Sequence, residues 1–144
     1  MLAPLLLSLA VIALYAPHWG AELVYDARRN ISENPTLGAA PNLGALFGQD
    51  YTQRVRQVAT RSETYRPLTW LQIQTVGWAF GAAPWAHRAA TTLAHLVVTW
   101  GLYALLRRRG RSPWGSAALA ALFGLHPAHV EPLIGMPGAE DPLA

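Results

Sequence analysis

The chain has 144 residues, 52% of them hydrophobic and only 13% charged, about half the charged share of an ordinary soluble domain. Residues 1–21, 67–87, 89–106 and 112–130 contain no Asp, Glu, Lys or Arg, while eleven charges crowd between Glu22 and Arg66. That pattern excludes a single water-soluble globule, and the length leaves little for a large self-contained enzyme. All eleven basic residues are Arg, giving a net charge of +3, but they are not interleaved with aromatics, so no nucleic-acid partner is assigned; the absence of Cys excludes disulfides, thiolate metal sites and a Cys nucleophile.

Residues 1–21 read as a first transmembrane helix, because the apolar run 2–16 continues uncharged to Ala21, close to the ~20 residues that cross a bilayer. A cleaved signal peptide fits less well: no basic residue precedes the run, and the cleavage context around Ala13 to Ala16 is poor. His18 and Trp19 then fall where an interfacial belt would place them.

Residues 22–66 form a loop too long to be a mere connector, punctuated around Asn34, Pro35, Gly38, Pro41, Asn42 and Gly44. Its apolar insertions Leu23, Val24, Leu43, Leu46 and Phe47 argue against full disorder. Asp26 lies a few residues past the membrane exit beside Tyr25, Arg28 and Arg29. There a carboxylate can act as a general base while neighbouring cations keep it ionised, although a lone acid in a solvated loop is the commoner case.

Residues 67–84 are charge-free, with Gly77 and Gly81 at the spacing of a helix-dimer motif. Thr69, Gln72, Gln74 and Thr75 are costly in lipid, however, and Trp70, Trp78 and Trp85 suit the headgroup region. The expectation is an interfacial helix.

A second span covers 85–106 and ends on the cluster Arg107, Arg108, Arg109 and Arg111, which the positive-inside rule places in the cytoplasm. Thr91, His95 and Thr99 share one face and should point at other helices; for His95 a packing role is the expectation and a proton relay the less common alternative. Residues 107–112 form the cytoplasmic Arg loop. The third span, 113–130, starts with Ser112 as N-cap and Pro113 as first helical residue. Ser116, Ala120 and Gly124 make a small-residue seam that anticipates a further helix. About 14 residues, or ~21 Å, separate Pro113 from His126, which puts that imidazole at or just below the far surface.

The fold class is therefore all-α and integral to the membrane: three transmembrane helices plus an extracytoplasmic loop with an interfacial helix. Three crossings bring residues 18–84 and the start of a second outer loop, 131–144, to the same face. His126, His129 and Glu131, followed by Glu140 and Asp141, could in principle ligate a metal, but Pro127 and Pro132 disturb the turn and the spacing is not that of a zinc motif. No metal is assigned, and the spacing neither requires nor forbids a divalent ion.

Taken in order, Val24-Tyr25-Asp26 with Ile31, Asn34 and Pro35, the Tyr65-Arg66-Pro67-Leu68-Thr69 segment, the span around His95, and His126-Pro127 with His129-Val130-Glu131 resemble the start of the polytopic GT-C glycosyltransferases, in particular the transmembrane and tetratricopeptide-repeat O-mannosyltransferase family and its bacterial relatives. The resemblance covers nearly the whole chain. It implies an enzyme of protein O-glycosylation in the bacterial cytoplasmic membrane, with a polyprenyl-phosphate sugar as donor, no separate cofactor, and membrane lipid and the remaining helices of a larger bundle as partners. Carried over, Asp26 would be the base, Arg66 with Tyr65 would sit near the donor phosphate, and His126, His129, Glu131 and Asp141 would line or brace the pocket. The chain departs from the family where Ala27 replaces a second acid and where Gly138-Ala139-Glu140-Asp141 lacks an arginine. The expectation is an N-terminal fragment, inactive alone. The alternatives are a small three-span protein that binds partner helices through its seam and stripe and, less well supported, a transport subunit.

Overall fold

The computed structural model describes residues 2–24, 27–48, 67–130 and 133, and all regular structure among them is helical. Helix α1 (Leu2–Tyr15) gives way to a 3-10 turn, Ala16–His18, where Pro17 removes a backbone donor and disfavours further α-helix. The loop that follows carries a π-helical turn, Arg28–Ser32, and a short helix α2 (Leu43–Gly48) capped by Asn42, whose side-chain oxygen accepts from the Ala45 amide at 3.0 Å.

Helix α3 (Pro67–Phe80) and helix α4 (Pro84–Arg108) form a hairpin. Gly81 turns the corner at φ +62°, a conformation open to Gly at little cost, and its carbonyl accepts from His87 Nε2 at 3.0 Å. At the far end of α4, Gly110 (φ +80°) reverses the chain into helix α5 (Pro113–Gly124). The start of α5 matches expectation: Pro113 lies in its first turn and Ser112 Oγ accepts from the Gly115 amide at 3.0 Å.

The 25 residues of α4 measure about 37 Å, and α4 is the one helix among the described residues long and apolar enough to cross a membrane. Alpha-helix α1 with its 3-10 turn is apolar but runs only from Leu2 to His18, and α5 has 12 residues, or about 18 Å. Among the described residues, one helix is thus of membrane length. The apolar run to Val130 is broken because Leu125 caps α5 and His126 leads into a separate 3-10 turn, Pro127–His129.

Helix α1 runs antiparallel to α4. Trp100 Nε1 donates to Ser8 Oγ at 2.8 Å, the Tyr15 and His95 rings meet edge-on at 6.0 Å, and Trp19 Nε1 donates to Thr92 Oγ1 at 3.2 Å. Rising numbers on α1 meet falling numbers on α4, so the Leu2 end lies toward the arginine cluster and the loop begins near Arg88. Apolar side chains left exposed on these two helices, among them Leu5, Leu9, Leu93 and Val97, are of the kind that need lipid or another protein against them.

The seam on α5 is filled from within the chain. Ser116, Ala120 and Gly124 are buried, and a Cβ on Gly124 would meet Thr99 Cγ2 at 3.0 Å and Val11 Cγ2 at 3.2 Å. The polar stripe on α4 is satisfied internally as well: Thr91 Oγ1 accepts from Gln72 Nε2 at 2.9 Å, His95 bonds the Gly124 carbonyl, and Thr99 Oγ1 donates to the His95 carbonyl at 2.8 Å. The helices that the stripe and the seam anticipate are thus supplied by this chain: α3 and α5 for the stripe, α1 and α4 for the seam.

The loop folds onto α3. Ala27, Ile31 and Leu37 form a small core with Ile73, joined by Leu23 and Trp70, and Leu46 of α2 is buried while Val24, Leu43 and Phe47 are exposed. Gly77 lies so close to Leu37 that a Cβ there would collide with the leucine side chain and approach its carbonyl oxygen to 2.9 Å.

Candidate functional site

Of the residues singled out in the sequence, Asp26, Tyr65, Arg66, Glu131 and Asp141 lie outside the described residues. His126 and His129 are described, and the structure brings them to His95. The His95 and His129 rings are 4.9 Å apart, His126 and His129 6.3 Å, and Phe123 stacks on His95 at 5.4 Å and touches His129 at 4.6 Å.

Hydrogen bonds fix two of the three tautomers. A carbonyl can only accept, so the 3.0 Å contact from His95 Nε2 to the Gly124 oxygen puts the proton on Nε2 and leaves Nδ1 as acceptor. His126 Nδ1 accepts from the Ala128 amide at 3.1 Å, so the neutral ring presents Nε2–H as a donor. Tyr15, 1% exposed, stands against His95 with its hydroxyl unpartnered among the described residues. Three imidazoles and one phenyl ring thus form a cluster that can hydrogen-bond a polyol and stack on its apolar face, with the Tyr15 phenol buried behind it. No group of three or more His or acidic side chains among the described residues is placed to hold a metal ion.

His95 lies eleven residues into α4, about 16 Å from Pro84, so the carboxyl end of α5 and its histidines are level with the middle of α4 and not with its end.

A group that sequence reasoning did not single out is Arg88. It is 4% exposed, and its guanidinium donates to the carbonyl oxygens of Trp19 at 3.2 Å, of Glu22 at 2.8 Å, and of Ala21 between them. The only sequence signal was its isolation as the single charge between Arg66 and Arg107. Below it, Thr92 Oγ1 donates to the Arg88 carbonyl at 2.9 Å and accepts from Trp19. The first three turns of α4 therefore hold the point where the chain leaves α1 for the loop. Ala27, fully buried in the loop core, holds the segment again five residues later.

The described residues are all-helical, with one helix long and apolar enough to cross a membrane, exposed apolar side chains beside it and a polar cluster at helix ends, features in keeping with a membrane-associated helical protein. No protein-family profile matches it, and no solved structure matches it. Among curated proteins it is 31% identical over 134 residues to protein O-mannosyl-transferase Tmtc1 of Drosophila melanogaster, covering 93% of this chain and 16% of that protein. It is 31% identical over 137 residues to Tmtc2 of the same organism (93% and 14%), and 29% identical over 143 residues to human TMTC2 (98% and 17%). The chain is thus a homologue of the transmembrane and tetratricopeptide-repeat O-mannosyltransferases along almost its whole length, as its motifs implied. It spans about one-sixth of the length of these relatives.

Proposed function

We propose that this chain forms part of a membrane glycosyltransferase that moves a sugar, a mannosyl unit by the relatives' name, from a polyprenyl-phosphate donor to an acceptor hydroxyl on the extracytoplasmic face of the bacterial cytoplasmic membrane. The observation that carries the reading is the register of α1 against α4: it sets Glu22, and with it the approach to Asp26, beside Arg88, at the end of α4 remote from Arg107 and Arg108. With those arginines in the cytoplasm, the loop lies outside.

In this reading α1, α4 and α5 make three crossings, the short α5 through a locally thin or water-lined region, and α3 lies at the interface. One flank of α3 is occupied by the loop core, and its polar Gln72, Gln74, Thr69 and Thr75 are costly in lipid. Residues 22–66, 107–112 and 131–144 are the outer loop, the cytoplasmic Arg loop and the start of the second outer loop.

The reaction is an inverting displacement. The acceptor oxygen attacks the anomeric carbon, the bond from that carbon to the phosphate oxygen breaks, and polyprenyl phosphate leaves with the bonding pair. Asp26 takes the hydroxyl proton, and Arg66 with Tyr65 stabilises the departing phosphate. His126, His129, Glu131 and Asp141 line the sugar side, where His126 Nε2–H and the rings of Phe123 and His129 suit a pyranose. An apolar groove of about 500 Å³, lined by Leu93, Leu96, Val97 and Trp100 of α4 with Ser8 of α1, matches a prenyl chain in chemistry and size. The internal filling of seam and stripe removes the two features that supported a protein devoted to binding partner helices.

The test is deletion of the gene and complementation with wild type or Asp26→Asn, measuring transfer from a labelled polyprenyl-phosphate mannose in isolated membranes. The proposal expects transfer with wild type and none with Asp26→Asn at equal protein level. Transfer undiminished by the substitution would refute it.

A further inference from the structure

We propose that the turn joining α4 to α5 is a binding site for the headgroups of anionic phospholipids, with Arg108, Arg109 and Arg111 as donors to the phosphate and Trp114 as the adjoining anchor. The proposal does not depend on the transfer reaction.

Four of the five residues Arg107–Arg111 are cationic, and all four side chains are exposed. Nothing acidic neutralises them. Helices α1, α3, α4 and α5 contain no Asp or Glu, and the described acids, Glu22 and Glu33, both belong to the loop at the opposite end of α4. The one ion pair among the described residues joins Arg28 to Glu33 in that loop. Cations so close together repel one another unless an anion lies among them.

A basic cluster that only directs insertion needs no fixed shape, but this one has a fixed shape. Gly110 reverses the chain at φ +80°, and its amide donates to the Arg107 carbonyl at 3.1 Å. Arg107 Nη1 donates across the turn to the Arg111 carbonyl, and Ser112 Oγ closes the far side by accepting from the Gly115 amide. Arg107 thus braces the turn, while Arg108, Arg109 and Arg111 stand on a rigid frame with their guanidiniums in solvent.

The chemistry of the partner follows from these donors and their level. A guanidinium presents paired N–H groups that match two phosphate oxygens. The turn ends the membrane-length helix, so it stands where a bilayer presents its phosphates. Trp114, 58% exposed in the first turn of α5, is of the residue type that settles at headgroup level. The exposed Leu2, Leu5 and Leu6 of α1 lie toward the same end and offer acyl chains an apolar wall, which a free phosphate would not use. A lipid of net negative charge is favoured over a zwitterionic one because its headgroup carries no cation to oppose the arginines.

The test uses the purified 144-residue chain, which has no cysteine, in phosphatidylcholine vesicles, where orientation in a cell plays no part. Bimane is attached to Leu105→Cys, exposed and one turn before the cluster, or to Trp85→Cys at the opposite end of α4, about 30 Å away. Quenching is compared for phosphatidylglycerol and phosphatidylcholine carrying the same nitroxide close to the glycerol. The proposal expects phosphatidylglycerol to be enriched beside residue 105 about fivefold or more, the factor that one arginine contributes at an anionic surface. Replacing Arg108, Arg109 and Arg111 together by Gln should remove that enrichment and leave the ratio at residue 85 as in wild type. Replacing the same three by Lys, which keeps the charge and loses the paired donors, should retain part of it. Equal quenching by the two lipids in wild type overturns the proposal, and so does enrichment that survives the Gln substitutions. Displacement of the labelled lipid by millimolar inorganic phosphate would make the turn a site for free anions and overturn the lipid assignment. Should the triple Gln variant alter the ratio at residue 85 as well, the single changes Arg108→Gln and Arg109→Gln decide: a partial fall at residue 105 from each supports the site, and no fall from either overturns it.

Discussion

The Nε2 atom of His95 and the carbonyl oxygen of Gly124 are 3.0 Å apart, joining the middle of the long helix to the last residue of the short one. That bond sets how far α5 climbs along α4 and so the level at which His126 and His129 stand.

Replacing His95 by Phe keeps the ring but removes the donor. We expect a loss of about 0.6–2 kcal/mol, the range measured for hydrogen bonds between helices in membranes. The check is reversible unfolding in mixed micelles. The stacking of Phe123 and His129 on the new ring should survive, so the helix content before unfolding should be that of wild type.

Gly124 has no room for a larger neighbour. A Cβ would already lie 3.0 Å from Thr99 Cγ2 and 3.2 Å from Val11 Cγ2, so Gly124→Leu must push α5 away from both α1 and α4. The expected cost is about 1–3 kcal/mol or more, with greater modification of a Thr99→Cys probe by a small thiol reagent. An unaltered, fully protected Thr99→Cys would show that the seam is not packed as described.

The small residues of α5 illustrate what the sequence reveals and what it conceals. Their four-residue spacing identified a closely packed face, because small side chains on one side of a helix allow backbone approach. Spacing does not name the occupant, and Thr99 and Val11 of the same chain fill it. The start of α5 was legible because Ser112 and Pro113 act locally on the helix they begin. Its end was not, since the apolar residues run on uncharged to Val130, although Pro127 was a warning that helix could not continue unbroken. The role of Arg88 was hidden, since its acceptors are main-chain carbonyls, which have no sequence signature, more than sixty residues away. The joining of His95 to His126 and His129 was likewise hidden, because each belongs to a separate segment until Gly124 meets His95.

Gly77 tests the attachment of the loop. Gly77→Ala forces its new methyl into Leu37, and because the Leu37 carbonyl is also close, backbone must shift along with the side chain. We expect about 1–3 kcal/mol of destabilisation, seen as faster proteolysis in residues 27–48. Leu37→Ala should be destabilising alone yet less than additive with Gly77→Ala, as expected of residues in contact. Strict additivity would place the two residues apart.

Trp19 donates to Thr92, and that bond is the second fastening at the exit from α1. Trp19→Phe should cost about 0.5–1.5 kcal/mol, and it should raise the mobility of a label at Val24 less than Arg88→Met does, since the three carbonyl bonds remain. A larger effect from Trp19→Phe than from Arg88→Met would reverse the order of importance assigned to these residues.

The central claim is that the loop leading to Asp26 and the turn bearing His126 and His129 open to one side of the membrane while the arginine cluster faces the other. Single cysteines at Val24, Ala128 and Arg109, treated in intact cells with a membrane-impermeant maleimide, test it directly. The account predicts that the first two are modified and that Arg109→Cys reacts only after the cells are permeabilised. Modification of Val24→Cys and Ala128→Cys from opposite sides would contradict it.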